Sequence, residues 1–194
     1  MTDERIDYAD DLRNALDVLR RGGVILYPTD TVWGLGCDAT DSKAVARIYE
    51  LKQRAESKSM LALVCDEAQA ERYTDDAPEI AFTLMREADR PLTIIFDKGN
   101  GLAPNMLADD GSVGIRMTRE KFSRELCRRL RHPLVSTSAN ISGSPTPAIF
   151  SEIDPEIIRK ADYVVHYRRD DTARHKPSSI IKISGNGVFR IIRE

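Results

Sequence analysis

Short apolar runs alternate along this chain with stretches in which apolar side chains recur every three or four residues. "DYADDLRNALDVLRRGG" sets Tyr8, Leu12, Ala15, Leu16 and Leu19 on one helical face, and Gly22 is placed to end that helix. "GVILYPT" follows as a short apolar strand. Asp41 is a capping residue for a helix over "SKAVARIYELKQ" that turns Val45, Ile48 and Leu51 inward. "MLALVC" reads as a buried strand, "DEAQAERY" and "PEIAFTLMREA" as helices, and "PLTIIF" as a strand. A loop rich in Gly, Pro and Asn over residues 99–111 leads to the strand "SVGIRM". The helix "REKFSRELCRRLR" keeps Phe122, Leu126 and Leu130 inside and its arginines outside. Then come the strand "PLVSTSA", the loop "NISGSPTP", the short helix "PEIIRKA" and the strand "YVVHY". "SSIIKIS", "GNG" and "VFRIIRE" read as a terminal hairpin.

Strand–helix alternation predicts an α/β sheet, and the closing hairpin predicts a mixed rather than purely parallel one. No linker or internal repeat divides the sequence, so residues 1–194 read as a single domain. Hydrophobic residues make up 41%, enough for an ordinary core. The net charge of -2 gives no global basic field of the kind that suits a dedicated nucleic-acid binder. An anion site therefore has to be a local concentration of cations. No run of 18 apolar residues suggests a membrane span, and the acidic start "MTDERIDYADD" does not resemble a signal peptide. Cys37, Cys65 and Cys127 are widely spaced, as are His132, His166 and His175, and neither set has metal-site spacing. The cysteines read as small buried hydrophobes of a reduced, cytoplasmic protein.

Four segments carry candidate chemistry. In "YPTDTVWGLGCDA", Thr29 and Thr31 stand at a strand end beside Gly34 and Gly36, which permit close backbone approach. The same residues would also serve an ordinary turn. In "LKQRAESKSM", Lys52 and Arg54 are two apart, so the helix is expected to end between or just after them, freeing Arg54 and Lys58. These cations fit a phosphate clamp, and equally a helix C-terminus that they complement. In "VSTSANISGSPTP", Ser136 and Ser138 share one side of a strand, with Asn140 following. Such polar groups need partners from a ligand or from local turns. Arg116, in an apolar strand, is either solvent-facing or paired with an anion. Ser178 opens "SSIIKIS". No phosphate-loop, dinucleotide or nucleophile-elbow motif is present. The chemistry implied is positioning and charge stabilisation rather than a covalent side-chain intermediate.

In this order, "PTDTVWGL", "KQR", "TSANISG" and "PSSII" resemble the YrdC/TsaC family, the threonylcarbamoyl-AMP synthases, over about residue 10 to the C-terminus. The resemblance implies a twisted, open, mixed sheet flanked by helices, with a concave cationic cleft. It implies synthesis of threonylcarbamoyl-AMP and pyrophosphate from L-threonine, bicarbonate and ATP. A threonylcarbamoyl transferase complex would then modify transfer RNA. Thr31, Arg116, Ser136 and Ser178 would hold the threonine. Lys52, Arg54, Lys58, Ser112, Ser138, Asn140, Thr146 and Arg193 would line the ATP side, with Lys52 and Arg54 catalytic. Mg²⁺ would arrive with ATP rather than on protein ligands. Direct contact with tRNA or double-stranded RNA stays open, and no membrane is implied.

Two other readings share the fold: an RNA-binding paralogue without synthase activity, and a carbamoyl-transfer module like that of hydrogenase maturation factors. The chain departs from the family pattern at Ala55, at "KSM" (Lys58 to Met60), at Arg90, at Thr118 and at Lys182. The first four change loop stiffness; Lys182 stands where the family has an acid. The length matches the short form of the family.

Overall fold

The computed structural model describes residues 8–53 and 60–194. Helix α1 (Tyr8–Arg20) leads into β1 (Ile25–Tyr27) and β2 (Gly34–Gly36), followed by α2 (Ser42–Lys52) and β3 (Leu61–Val64). Helices α3 (Glu67–Arg72) and α4 (Glu79–Glu87) precede β4 (Leu92–Phe96) and β5 (Val113–Met117). Then follow α5 (Lys121–Leu130), β6 (Leu134–Ser138), α6 (Pro155–Lys160), β7 (Tyr163–Val164), β8 (Ser179–Ile183) and β9 (Phe189–Arg193). Among the described residues the nine strands form one mixed sheet in the order β7-β1-β2-β6-β3-β5-β4-β8-β9. The expected α/β class and mixed sheet are both observed. No described helix is long and apolar enough to cross a membrane.

Local chemistry sets the element ends. The Asp41 carboxylate accepts from the backbone N–H groups of Lys43 (2.9 Å) and Ala44 (3.2 Å), which caps α2. Helix α2 stops at Lys52 because Gln53 turns into the left-handed region at φ 50. Helix α1 buries the expected Leu12, Ala15, Leu16 and Leu19. The N–H of Gly22, at φ 75, donates back to the carbonyl of Leu19.

Two strands differ from the sequence reading. Strand β2 occupies part of what reads as a turn, because β1 and β6 offer backbone partners on both sides of Gly34–Leu35. Strand β7 is shorter than "YVVHY". The N–H groups of His166 and Tyr167 leave the sheet for the buried carboxylate of Asp11, at 2.8 and 2.6 Å.

Register gives the sheet two distinct faces. Ile94 pairs with Ile115, Ile115 with Ala62, and Ala62 with Val135. This row is fully buried, and α3, α4 and α5 pack against the strands that carry it. The alternate residues form the other face. Leu61 pairs with both Ser136 and Gly114, and Thr93 with both Arg116 and Ile180. A cleft opens over that second face.

Candidate active site

The cleft has a volume of about 340 Å³, within the range of small-molecule sites. Its lining brings together Thr31, Ser112, Arg116, Ser136, Ser138, Thr146, Ser178 and Arg193, eight residues singled out from sequence. They come from six different parts of the chain, and the crossed strand order makes them neighbours.

Thr31 sits in the β1–β2 turn. Its backbone N–H donates to Thr29 Oγ1 at 3.0 Å, and the two hydroxyl oxygens are also 3.0 Å apart. Thr29 has one hydroxyl proton, and Val32 O accepts it at 2.7 Å. With that proton given to Val32 O, Thr31 Oγ1 is the donor to Thr29. On the far side, the Ser178 and Thr93 hydroxyls are 2.8 Å apart. The Arg193 guanidinium donates to Ser178 O through Nε (3.0 Å) and Nη2 (2.6 Å), fixing the end of β9 over the start of β8.

The floor carries Arg116, 3% exposed. Its Nη2 lies 3.1 Å from Asp30 Oδ1, and Asp30 is 12% exposed. Neither Asp30 Oδ1 nor Arg116 Nε makes a hydrogen bond among the described residues. Of the two fates open to an arginine in this strand, the structure places it against an anion rather than in solvent.

Lys52 lies behind the cleft, 1% exposed. Its ammonium donates to Ser138 O and to Asn140 O, the latter at 2.6 Å. The Asn140 side chain receives the Ser138 hydroxyl at 2.5 Å and donates to Ser144 O at 2.7 Å. Lys52 and Asn140 thus shape the turn that follows β6. Arg54 and Lys58 lie outside the described residues, as do Ala55 and Ser59.

Lys182, the unexpected cation, pairs in register with Ile95 on the cleft-side row. Its ammonium meets Asp97 at 3.3 Å and Asp110 at 3.6 Å. Bonds from Ser112, with Lys182 nearby, hold the Asp110 carboxyl below the usual carboxylate range. The cation occupies a position between two acids at the far end of the row. The cysteines are buried and free, as expected. No cluster of three or more His, Cys, Asp or Glu suited to a metal occurs among the described residues.

Sequence reasoning passed over Trp33, Thr93 and Asp30. Trp33 lines the cleft and meets Phe150 in a tilted contact, 4.9 Å between ring centres. Thr93 was signalled by a hydroxyl inside the apolar "PLTIIF". Asp30 was signalled only by being an acid at a strand end, and its partner Arg116 is remote in sequence.

Comparison with known proteins supports the fold and assigns the family. The Sua5/YciO/YrdC family model, described as telomere recombination, matches residues 17–194. A threonylcarbamoyl-AMP synthase of Idiomarina loihiensis is 32% identical over 171 residues, covering 87% of this chain and 91% of that one. One of Stenotrophomonas maltophilia is 34% identical over 171 residues, covering 86% and 91%. The crystal structure of P. abyssi Sua5 complexed with L-threonine superposes with a TM-score of 0.77 at 26% identity, over 93% of this chain. This chain spans about half of that one, 52%. With the match running over nearly its whole length, the chain belongs to the Sua5/YciO/YrdC family.

Proposed function

We propose that this protein is a threonylcarbamoyl-AMP synthase, which joins L-threonine, bicarbonate and ATP into threonylcarbamoyl-AMP and releases pyrophosphate and water. The observation that carries the reading is the convergence of Thr31, Arg116, Ser136 and Ser178 in one cleft. A buried guanidinium ringed by hydroxyls suits the carboxylate and hydroxyl of a small amino acid. Curated relatives of similar length bear the synthase name.

In this reading Arg116 takes the threonine carboxylate. Ser112, Ser138, Thr146 and Arg193 face the nucleotide, and Lys52 and Asn140 hold the turn beneath it. Arg54 and Lys58 supply the remaining positive charge against the triphosphate and make the cleft cationic. The carboxylated amine attacks the α-phosphorus and pyrophosphate leaves, a nucleotidyl transfer. The protein's part is to align two anions that repel each other. Among the described residues the cleft lining offers hydroxyls but no acid, a donor set that suits Mg²⁺ carried in on the phosphates. The product passes to a threonylcarbamoyl transferase complex acting on tRNA, which implies a cytoplasmic protein.

The test is pyrophosphate release from ATP by the purified chain. Release is expected only with threonine and bicarbonate both present. Release at the same rate without threonine would refute the reading.

A further inference from the structure

Thr31, Val32 and Trp33 line the cleft, and the turn that carries them is held from outside it. The pivot is Thr29, which is not part of the lining. Its hydroxyl donates to Val32 O and accepts the N–H of Thr31. Its carbonyl oxygen accepts from Arg168 Nη1 at 3.2 Å, across 139 residues of sequence. Arg168 stands in the turn after β7 at φ 66, a left-handed conformation that arginine rarely adopts. Such a backbone persists where its surroundings over-determine it, and here two carboxylates do so. Buried Asp11 takes the N–H groups of His166 and Tyr167, the two residues before it. Asp171 Oδ2 takes Arg168 Nε at 3.0 Å and Nη2 at 2.7 Å, which leaves Nη1 for Thr29 O. Glu120 lies further off, 3.9 Å from Nη1. The next residue props the same wall: Arg169 lies over the Phe150 ring, 5.0 Å from its centre, and Phe150 meets Trp33.

From this we infer that Arg168 is a positioning residue for the reaction. Aimed by Asp171, it fixes Thr29 O, and through Thr29 it sets how Thr31, Val32 and Trp33 face the ligand. Arg168 lies outside the cleft lining and touches no ligand itself. The inference rests on the synthase reading and adds to it a support one residue removed from the lining.

The experiment measures pyrophosphate release against threonine and against ATP for Arg168→Gly, Arg168→Lys, Asp171→Ala and the double variant Arg168→Gly/Asp171→Ala. Glycine removes the side chain and also relieves the backbone at φ 66, so the fold keeps its stability. In Arg168→Gly the KM for threonine is expected to rise about three- to tenfold, part of the full effect of one charged hydrogen bond. The KM for ATP should change less than about twofold, well short of that effect. Arg168→Lys, a point charge without the fork, restores only part of the loss. Asp171→Ala shows the same selective rise. The double variant is no worse than Arg168→Gly, because the two residues act in series.

An unchanged KM for threonine in Arg168→Gly would overturn the inference. So would an equal rise in both KM values with a lower melting temperature, which would make Arg168 a staple of the fold alone. Additive effects in the double variant would overturn it too. If Arg168→Gly does not fold, Asp171→Ala decides: a KM for threonine left at the wild-type value overturns the inference. Absence of threonine-dependent release by the unaltered protein would instead defeat the synthase reading, and the inference with it.

Discussion

Replacing Lys52 by methionine tests whether this lysine holds the turn after β6. The ammonium is buried and bonds two carbonyl oxygens, Ser138 O and Asn140 O. A hydrogen bond to a charged group contributes about 1.5–3 kcal/mol, so the two give about 3–6 kcal/mol gross. Methionine has a similar length and removes the cost of keeping an ammonium dry, which offsets part of this. It also leaves Asn140 O without this donor, at about 1–3 kcal/mol where water cannot replace it, while Ser138 O keeps the N–H of Asn140.

A net loss of about 3 kcal/mol follows, which for a chain of this size lowers the melting temperature by roughly 6–12 °C. Calorimetry or thermal circular dichroism measures it, and pyrophosphate release measures the accompanying fall in kcat/KM. Lys52→Arg, which keeps the charge, should fall between. A Lys52→Met protein that melts within about 1 °C of the wild type would refute the reasoning. If that stable protein were also inactive, Lys52 would be acting on the ligand rather than on the turn.

Three further perturbations have outcomes set by local packing and charge. In Gly36→Ala, the new Cβ would stand 2.6 Å from Tyr27 Cε1 and 2.9 Å from Val135 O. A loss of about 1–3 kcal/mol in urea unfolding is expected, and no loss would mean that β2 is not wedged between β1 and β6. The Glu125 carboxyl is held down to about 2, first by Arg128 and then by Arg129, from an ordinary 4.5. A depressed acid stabilises above its unfolded pKa and loses that contribution as pH falls through its folded one. The arginines are half or more exposed, so Glu125→Gln should cost under about 1 kcal/mol at neutral pH. The difference between the two proteins should vanish as pH drops from 4.5 toward 2; a difference that grows there would reverse the sign argued. Burial pushes the Cys65 thiol up to about 12 and raises those of Cys37 and Cys127 as well. The native protein should therefore react with a disulfide reagent at pH 8 only as it unfolds, and all three thiols should react at once in denaturant. Rapid labelling of the native protein would contradict their burial.

What was legible in the sequence was what depends on near neighbours. The 3.6-residue period of α1, α2 and α5 and the Asp41 cap are local physics, and the structure has them where the pattern puts them. Strand β2 was not legible, because Gly-Leu-Gly has little strand preference of its own and is extended by its partners β1 and β6. The shortened β7 depends on Asp11, more than 150 residues away.

The candidate site divides the same way. Hydroxyls at strand ends and an arginine among apolar residues stand out in one dimension. That Arg116 meets Asp30, and that Lys52 points at the backbone after β6, follows from strand order, which no local pattern encodes.

That strand order bears on how the molecule comes into being. Thr93 and Ser178, which touch on one side of the cleft, are 85 residues apart, and Lys52 reaches an oxygen 88 residues ahead. Loops of that size close late in folding, because their entropy is spent before the contact rewards it. The helices and local turns have no such delay. During synthesis the amino-terminal strands leave the ribosome well before the terminal hairpin exists, and until β8 arrives the β4 edge has no partner there. Binding competence therefore marks completion of the fold: a ligand that needs both walls of the cleft recognises only finished molecules, and its binding energy stabilises the last step of assembly.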